Sequence, residues 1–310
     1  MFKNATLFRI SPDFALPDLA DVQEAFSRLK YVPCGPQQEY SLGWGPPRGK
    51  ATDPLVEPVA GGLIMRLRSE SRPIPASAIK QVVDAAIEKH KQETGHERVG
   101  AKMKKMFREE AVISLQPRAF SRYSDTLLWI DAKNKFLVVD AASFSRSDTV
   151  ITFLIESLAA LPVPPEILVR PLQTMMSATA AMAHWLVSTE APNQFTVDRD
   201  CELKTPDEQK SSVRYSNHTL EIDQVAEHIR SGKVPKKLAM TWNDRVSLVL
   251  FHTGQVSKIK LHLVVLDGVD GSGDDDEFDT DAAIITGELS ALIPDLINAL
   301  GGELAEGGDL

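Results

Sequence analysis

Apolar residues recur along the chain with two different periods, which predicts a mixture of strands and helices. Short apolar or alternating runs predict strands at 1–10, 40–44, 63–67, 118–131, 135–140, 195–203, 212–216, 238–242, 245–251 and 256–265. Stripes with a helical period predict two helices within 75–117 and others near 18–29, 147–160, 173–187, 222–230 and 289–300. Pro294 lies inside the last helix and predicts a kink or a break there, because an interior proline costs about 3 kcal/mol. The predicted fold class is α+β, with mixed or antiparallel sheets.

Two interruptions of this pattern define the predicted domain organisation. The helical pair is expected to project from the first half as an arm, and the proline-rich segment 161–165 marks a boundary. We therefore predict a first α+β unit (1–74 and 118–162), an inserted helical arm (75–117) and a second α+β unit (163–310). The second unit contains an acidic linker (267–281) and a C-terminal helix.

The charge of the chain is unevenly distributed. The 310 residues have a net charge of −9, but residues 261–310 contain thirteen Asp or Glu and no Lys or Arg. Residues 1–260 therefore hold all 34 basic groups against 30 acidic ones. A basic body with an acidic tail is one hint of a protein that binds polyanions.

The cysteines and the apolar runs indicate the cellular compartment in which the protein is expected. Cys34 and Cys201 provide no disulfide framework, which favours a reducing cytoplasm. No apolar run approaches the roughly 18 residues that a membrane span needs, so we expect no membrane partner. Residues 1–6 do not have the pattern of a signal peptide.

The sequence lacks the common motifs of catalysis. It contains no Gly-x-x-x-x-Gly-Lys-Ser/Thr loop, no Gly-x-Gly-x-x-Gly after a strand, no His-Glu-x-x-His and no Gly-x-Ser-x-Gly. Its seven histidines lack the spacing of metal ligands, and the acidic linker has Asp275 where a calcium loop needs glycine. We therefore expect no catalytic residue, no metal and no cofactor.

Positive charge is concentrated in the second helix of the predicted arm. Lys102, Lys104, Lys105 and Arg108 crowd two turns. The like charges of Lys104 and Arg108 repel each other, and a nearby phosphate backbone would relieve that repulsion. A solvated helix face is the alternative interpretation, and the sequence leaves both open.

The segment that follows the arm combines two arginines with an aromatic ring. In an extended segment Arg118, Phe120 and Arg122 share one face, which suits a surface that meets phosphates, bases or another subunit. A surface cation–π cluster without a partner is the alternative. Further candidate DNA contacts in the second half are Arg214, Lys233, Lys236, Lys237, Lys258 and Lys260.

Several short motifs, in this order and spacing, resemble the RdgC family of bacterial recombination-associated proteins. They are Phe2-Lys3-Asn4, Pro33-Cys34-Gly35, Gly43-Trp44, Pro117-Arg118-Ala119-Phe120-Ser121-Arg122, Trp129-Ile130-Asp131, Leu161-Pro162-Val163, Gly232-Lys233-Val234, Lys237-Leu238-Ala239, Trp242, Thr286-Gly287-Glu288-Leu289 and Gly301-Gly302-Glu303. The resemblance covers nearly the whole chain, although no single tripeptide is specific. One departure is Arg214-Tyr215-Ser216-Asn217-His218, where relatives carry a Lys-Lys-Gln stretch after an arginine.

The resemblance implies a non-enzymatic, nucleoid-associated protein of the cytoplasm. It implies a ring-shaped homodimer that encircles DNA, binds duplex and single-stranded DNA with little sequence preference, and restrains strand exchange by RecA. Phe120 matches a family phenylalanine at the subunit contact, and Arg118 and Arg122 match its neighbours. Two alternatives stay open: a protein-interaction scaffold whose acidic tail mimics DNA, and a metal-dependent hydrolase.

Overall fold

The computed structural model of the chain describes residues 1–206, 211–220, 223–266 and 274–304. Its strands are β1 (Asn4–Ile10), β2 (Tyr40–Gly45), β3 (Val56–Val59), β4 (Gly62–Ser71), β5 (Arg122–Asp131), β6 (Phe136–Val139), β7 (Val169–Pro171), β8 (Phe195–Lys204), β9 (Ser212–Tyr215), β10 (Val234–Trp242), β11 (Val246–Phe251) and β12 (Val256–Leu261). Its α-helices are α1 (Leu19–Arg28), α2 (Ala76–Thr94), α3 (Ala101–Leu115), α4 (Phe144–Ala159), α5 (Ala178–Ser188), α6 (Asp223–Arg230), α7 (Leu263–Leu266) and α8 (Asp274–Ala299). A 3₁₀ helix follows α3 at Gln116–Arg118. These elements confirm the mixed α+β class.

The N-terminal strand organises the sheet. β1 pairs antiparallel with β6, β7 and β12, so it joins strands from the middle and from the end of the chain. The strand order from β4 onward is β4-β5-β6-β1-β12-β11-β10-β8-β9, with β3 beside β4 and β7 beside β1. The result is a large antiparallel sheet in which neighbouring strands often come from distant parts of the sequence.

The chain forms two compact units whose boundaries differ from the predicted ones. Unit 1 comprises 1–26, 46–66 and 126–310, and unit 2 comprises 27–45 and 67–125. The predicted boundary near 162 falls inside unit 1, because β1 pairs with β12 as well as with β6. The predicted arm belongs to unit 2 together with residues on both sides of it.

The core of unit 1 lies between the sheet and two helices. α5 and α8 contribute buried apolar side chains that pack with those of β8, β10 and β11, among them Met182, Trp185, Leu238, Leu248, Leu289 and Leu296. The hairpin between β10 and β11 turns at Asn243 and Asp244, which have φ of 47° and 54°. Asn and Asp tolerate this left-handed backbone, so the predicted hairpin at these two residues is confirmed.

Helix α8 runs through Pro294 without a break. Leu292 and Ile293 precede the proline and Leu296 follows it, and all three are buried. Burying one such side chain stabilises a fold by about 1.5–3 kcal/mol, so together they outweigh the cost of the proline. Of the two alternatives predicted at Pro294, the break is therefore wrong, and the kink stays a prediction.

Helix α8 also has the length and composition of a membrane span. The segment Glu277–Ala299 passes that test among the described residues, with a mean hydropathy of 1.3 over its most apolar window. The search for an uninterrupted apolar run does not select this helix, whereas a window average does, because the average tolerates scattered polar residues. Its apolar side packs in the core of unit 1, as in the core helix of a globular protein.

Part of the predicted acidic linker is helical. Residues 267–273 lie outside the described residues, whereas 274–281 form the first turns of α8. The Arg48 guanidinium donates to Glu57 (2.8 Å) and to Asp279, and it lies 4.8 Å from the centre of the Phe278 ring. These contacts tie the acidic start of α8 to the rest of unit 1.

Unit 2 is built around a helical hairpin. The apolar stripe of α2 is only half-buried, while α3 buries Phe107 and Ala111. The His90 ring meets the edge of the Phe107 ring at 5.7 Å between centres, which holds the two helices together. Gly43 in β2 is required by close packing, because a Cβ there would lie 2.4 Å from the backbone of Tyr31.

Candidate nucleic-acid interface

The four basic residues of the arm are all exposed on α3. Lys102, Lys104, Lys105 and Arg108 point to solvent, and the apolar Phe107 between them faces the hairpin. Lys105 lies 3.8 Å from Glu109, one turn away. An ion pair between such exposed groups contributes little, so the cluster keeps most of its positive potential.

The segment after α3 exposes an aromatic ring between two arginines. Phe120 is 90% exposed, and Arg118, Arg122 and Tyr123 are exposed as well. Arg118 ends the 3₁₀ helix, and β5 begins only at Arg122, so the predicted extended face does not include Arg118. Pro117 favours this local turn, because its fixed φ suits the start of a helix.

A buried carboxylate holds one end of the Phe120 loop, the name used here for residues 117–121. Glu70 is 2% exposed and accepts hydrogen bonds from the Ser121 hydroxyl (2.5 Å), the Tyr31 hydroxyl (2.5 Å) and the backbone N–H of Cys34 (2.8 Å). The bond from Ser121, followed by those from Tyr31 and Cys34, lowers the pKa of Glu70 from 4.5 to about 2. Burial raises the pKa of Tyr31, and its hydrogen bond to the same carboxylate raises this pKa further.

Arg72 holds the other side of the Phe120 loop. Its guanidinium donates to the carbonyl oxygens of Gly35 (3.1 Å), Pro117 (3.2 Å) and Ala119 (3.2 Å). The planar fork of arginine is suited to several acceptors at once. Glu70 and Arg72 therefore fix the backbone on either side of Phe120 while its ring stays in solvent.

Glu70 and Arg72 were missed at the sequence level. They lie at the end of β4 and directly after it, in a run of alternating charged and small residues that is typical of an exposed strand edge. The sequence offers no signal for the burial of Glu70, because the last apolar residue of the strand, Leu67, is three positions away and projects to the opposite face. The donors come from residues 36 to 51 positions away, which no local pattern reveals.

In unit 1 the strand register brings several of the predicted cations onto one sheet face. Arg214 of β9 pairs with Glu202 of β8, Glu202 pairs with Lys237 of β10, and Lys237 pairs with Phe251 of β11. Directly paired residues project on the same side of a sheet. Lys258 of β12 lines the same shallow groove.

The other predicted cations of unit 1 lie near this row but outside it. Lys260 is exposed on β12 and pairs with Ser247. Lys236 lies where the register between β8 and β10 shifts, and Lys233 is in the turn after α6. Arg214, Lys237 and Lys258 therefore line one groove. Lys233, Lys236 and Lys260 lie outside it.

Most of the predicted cations carry no compensating charge within the described residues. Of the twelve, Lys105 and Lys237 are the two that lie within ion-pair distance of a carboxylate there. In the same part of the chain no cluster of three or more His, Cys, Asp or Glu has the arrangement of a metal site. Cys34 and Cys201 are free thiols, and burial raises the pKa of both.

The fold and these surfaces define an α+β protein with exposed cationic clusters in both of its units. Such clusters suit the binding of polyanions. A family model described as "Putative exonuclease, RdgC" matches residues 1–303. The chain is 35% identical over 304 residues to the recombination-associated protein RdgC of Bordetella pertussis, covering 97% of this chain and 98% of that protein. It is 38% identical over 310 residues to the protein of the same name from Dechloromonas aromatica, covering 98% and 99%.

The chain therefore belongs to the RdgC family, and its relatives carry the name of a recombination-associated protein. The resemblance drawn from the sequence motifs is confirmed. The family description and the relatives' names differ in what they suggest about catalysis, since one includes the word exonuclease and the other does not.

Proposed function

We propose that this protein binds DNA, both duplex and single-stranded, with little dependence on sequence, and that it does so in recombination. The observation that carries the proposal is a set of exposed cations on α3 and on the sheet of unit 1 that have no carboxylate partner within the described residues: Lys102, Lys104, Arg108, Arg214, Lys258 and Lys260. Phosphates are the acceptors that such side chains fit, and every DNA sequence presents them alike. Membership in a family of recombination-associated proteins supports the same conclusion.

Binding of this kind is driven by the release of counterions. Each lysine or arginine that neutralises a phosphate frees a condensed cation, so the affinity falls steeply as salt rises. Contacts to phosphate carry no sequence information, so a change of sequence at constant length leaves the affinity nearly unchanged.

We further propose that two copies form a ring-shaped homodimer that encircles DNA in the nucleoid. Phe120 supports this, because a large apolar ring left in solvent on a fixed loop is a good anchor for a protein contact. Encirclement slows the dissociation of DNA without adding contacts, because a DNA phosphate that loses its contact with the protein stays inside the ring and can bind again. A DNA segment enclosed in this way is a poor substrate for a recombinase filament, which would restrain strand exchange by RecA.

The test of DNA binding is the salt dependence of affinity for the protein and its Lys104→Ala variant. We expect the variant to bind all sequences more weakly and to flatten the plot of log affinity against log salt by about one unit. The matched control is Lys89→Ala, since Lys89 is exposed on α2 but lies 3.9 Å from Glu93. Absence of binding at low salt would instead favour the protein-interaction scaffold.

A nuclease is the second candidate, because the family description includes the word exonuclease. Incubating the pure protein with end-labelled linear DNA and magnesium distinguishes the two proposals. We expect the DNA to stay intact. Shortening of the labelled strand that EDTA abolishes would favour the metal-dependent hydrolase.

A further inference from the structure

The groove on the outer face of unit 1 has an aromatic side chain at one end. The row Arg214–Glu202–Lys237–Phe251 crosses four neighbouring strands, which at about 4.8 Å per strand gives a length of about 14 Å. Cys201, the neighbour of Glu202 in β8, is buried, so the row projects away from the core. The Phe251 ring is half-buried at the end of this row.

The groove is too shallow to enclose a ligand. Its volume is about 80 Å³, whereas a cavity that holds a benzene ring needs about 150 Å³. An aromatic ligand would therefore lie on the surface of the groove, against the Phe251 ring. The Lys237 ammonium lies over that ring, 5.2 Å from its centre. A base that stacks on Phe251 therefore takes the place of this ammonium, which stays close enough to contact the adjoining phosphate.

The charge of the groove favours an anion. Four cations, Lys204, Arg214, Lys237 and Lys258, surround two carboxylates, Asp200 and Glu202. The outermost cations, Arg214 and Lys258, are exposed and have no carboxylate partner within the described residues. The groove therefore has a net positive charge that is directed to solvent.

Glu202 limits this charge. Its carboxylate lies 2.8 Å from the Lys204 ammonium and 3.2 Å from that of Lys237. The hydrogen bond from Lys204, with a further contribution from Lys237, lowers the pKa of Glu202. An incoming phosphate therefore competes with a carboxylate that is ionised at neutral pH.

The nearby histidine does not add to the positive charge. Partial burial, together with the charges of Lys236 and Lys204, lowers the pKa of His252, so its ring is neutral at pH 7.

We propose that the Phe251 groove (Arg214, Glu202, Lys237, Phe251 and Lys258) is a binding site for single-stranded nucleic acid. One base stacks on the Phe251 ring, and the adjoining phosphates contact Lys237, Arg214 and Lys258. Stacking on an aromatic side chain needs an unstacked base, which a single strand offers and a duplex does not. This inference rests on the proposed function, since it assigns one of its substrates to one surface.

The test compares single-stranded and duplex DNA with the Phe251→Leu variant. Leucine keeps an apolar side chain but removes the ring, so we expect affinity for a labelled oligothymidine to fall about fivefold or more. Affinity for a duplex of matched length is expected to stay unchanged. The matched control is Tyr40→Leu, which removes an exposed ring from β2 of unit 2.

The possible results of this experiment distinguish a failure of this inference from a failure of the proposed function. If the wild-type protein binds neither DNA, the proposed function fails. If the wild-type protein binds both and Phe251→Leu weakens neither, or weakens both equally, the single-strand site is overturned while DNA binding stands. Circular dichroism verifies that the variants are folded.

A second variant keeps the inference testable if Phe251→Leu does not fold. Glu202→Gln removes the carboxylate that occupies Lys204 and Lys237 while keeping the shape of the side chain. We expect its affinity for oligothymidine to rise about threefold or more, because one phosphate competitor is lost. An affinity equal to that of the wild-type protein would overturn the site.

Discussion

Glu70 places a charge in the interior of unit 2, and no cation of the described residues forms an ion pair with its carboxylate. The three groups that donate to it come from the Phe120 loop, from Tyr31 and from the turn that contains Cys34. Hydrogen bonds to an ionised acceptor are stronger than those between neutral groups. One side chain thus connects the end of β4 with two other segments of unit 2, residues 31–34 and the Phe120 loop, which are far apart in sequence.

This arrangement predicts a specific loss of stability in acid. Because the pKa of Glu70 is about 2 in the folded protein and 4.5 ordinarily, its contribution is complete above pH 4.5 and is lost as the pH falls towards 2. Glu70→Gln should therefore lower the free energy of unfolding clearly at neutral pH and much less near pH 2. Urea unfolding of both proteins across this range measures the difference.

Glu109→Gln is the control, because Glu109 is exposed on α3 and should show little effect at any pH. A Glu70→Gln deficit of equal size at neutral pH and near pH 2 would contradict the role assigned to the ionised carboxylate.

Single residues were predictable from the sequence where their chemistry is local. The crowding of Lys102, Lys104 and Arg108 predicts an exposed surface, because lysine and arginine are almost never buried unpaired. Arg118 was predicted on an extended face, but its 3₁₀ helix depends on how α3 ends. Glu70 and Arg72 act through partners brought together only by folding, so their role in the loop was not predictable.

At the scale of elements, α8 shows how burial overrides local propensity. A proline at position 294 cannot donate the helical hydrogen bond to the carbonyl of residue 290, and its ring crowds that carbonyl. The helix nevertheless continues to Ala299. We expect Pro294→Ala to raise the free energy of unfolding by about 1–3 kcal/mol, because it restores this hydrogen bond. Urea denaturation followed by far-ultraviolet circular dichroism measures the change.

Pro164→Ala provides the comparison for this element. Pro164 is exposed in a loop, where replacing proline frees the unfolded chain and should slightly lower stability. A Pro294→Ala protein less stable than the wild type would mean that the packing of the proline ring outweighs the missing bond.

Elements were predicted best where the sequence marks their ends. The hairpin of β10 and β11 was found because Asn243 and Asp244 are turn residues, and α3 because Pro117 limits it. The three-residue strand β7 was missed, since it is a strand only through its pairing with β1. Such a strand has no period of its own to detect.

At the scale of the whole molecule, pairing between distant strands decides the division into units. The sequence suggested a boundary at prolines 162–165, but β1 pairs with β12 across more than 250 residues. No local composition encodes that contact. The family, in contrast, was predicted from short motifs spread along nearly the whole chain, and the match over residues 1–303 confirms it.

The proposed dimer gives a prediction about Phe120. The ring is 90% exposed in one copy, so Phe120→Ala should leave the fold of the monomer intact. We expect self-association to weaken about thirtyfold, as for an interface anchor, while affinity for short linear DNA changes less. Sedimentation measures the first quantity and fluorescence anisotropy the second.

Closed circular DNA extends this test to encirclement. The wild-type protein should leave a closed circle more slowly than linear DNA of the same length, and Phe120→Ala should reduce that difference. Val163→Ala is the control, because Val163 is 82% exposed in unit 1. Self-association of Phe120→Ala at wild-type strength would argue against Phe120 as a subunit contact.

The position of β1 between β6 and β12 has a consequence for biosynthesis. β1 leaves the ribosome before both of these partners. It pairs along one edge with β6, near the middle of the chain, but its contact at Asn4 and Ala5 needs residues 256 and 257. Contacts of such long sequence separation fold slowly. A nascent chain stalled before β12 would keep part of β1 unpaired, which makes it a substrate for chaperones.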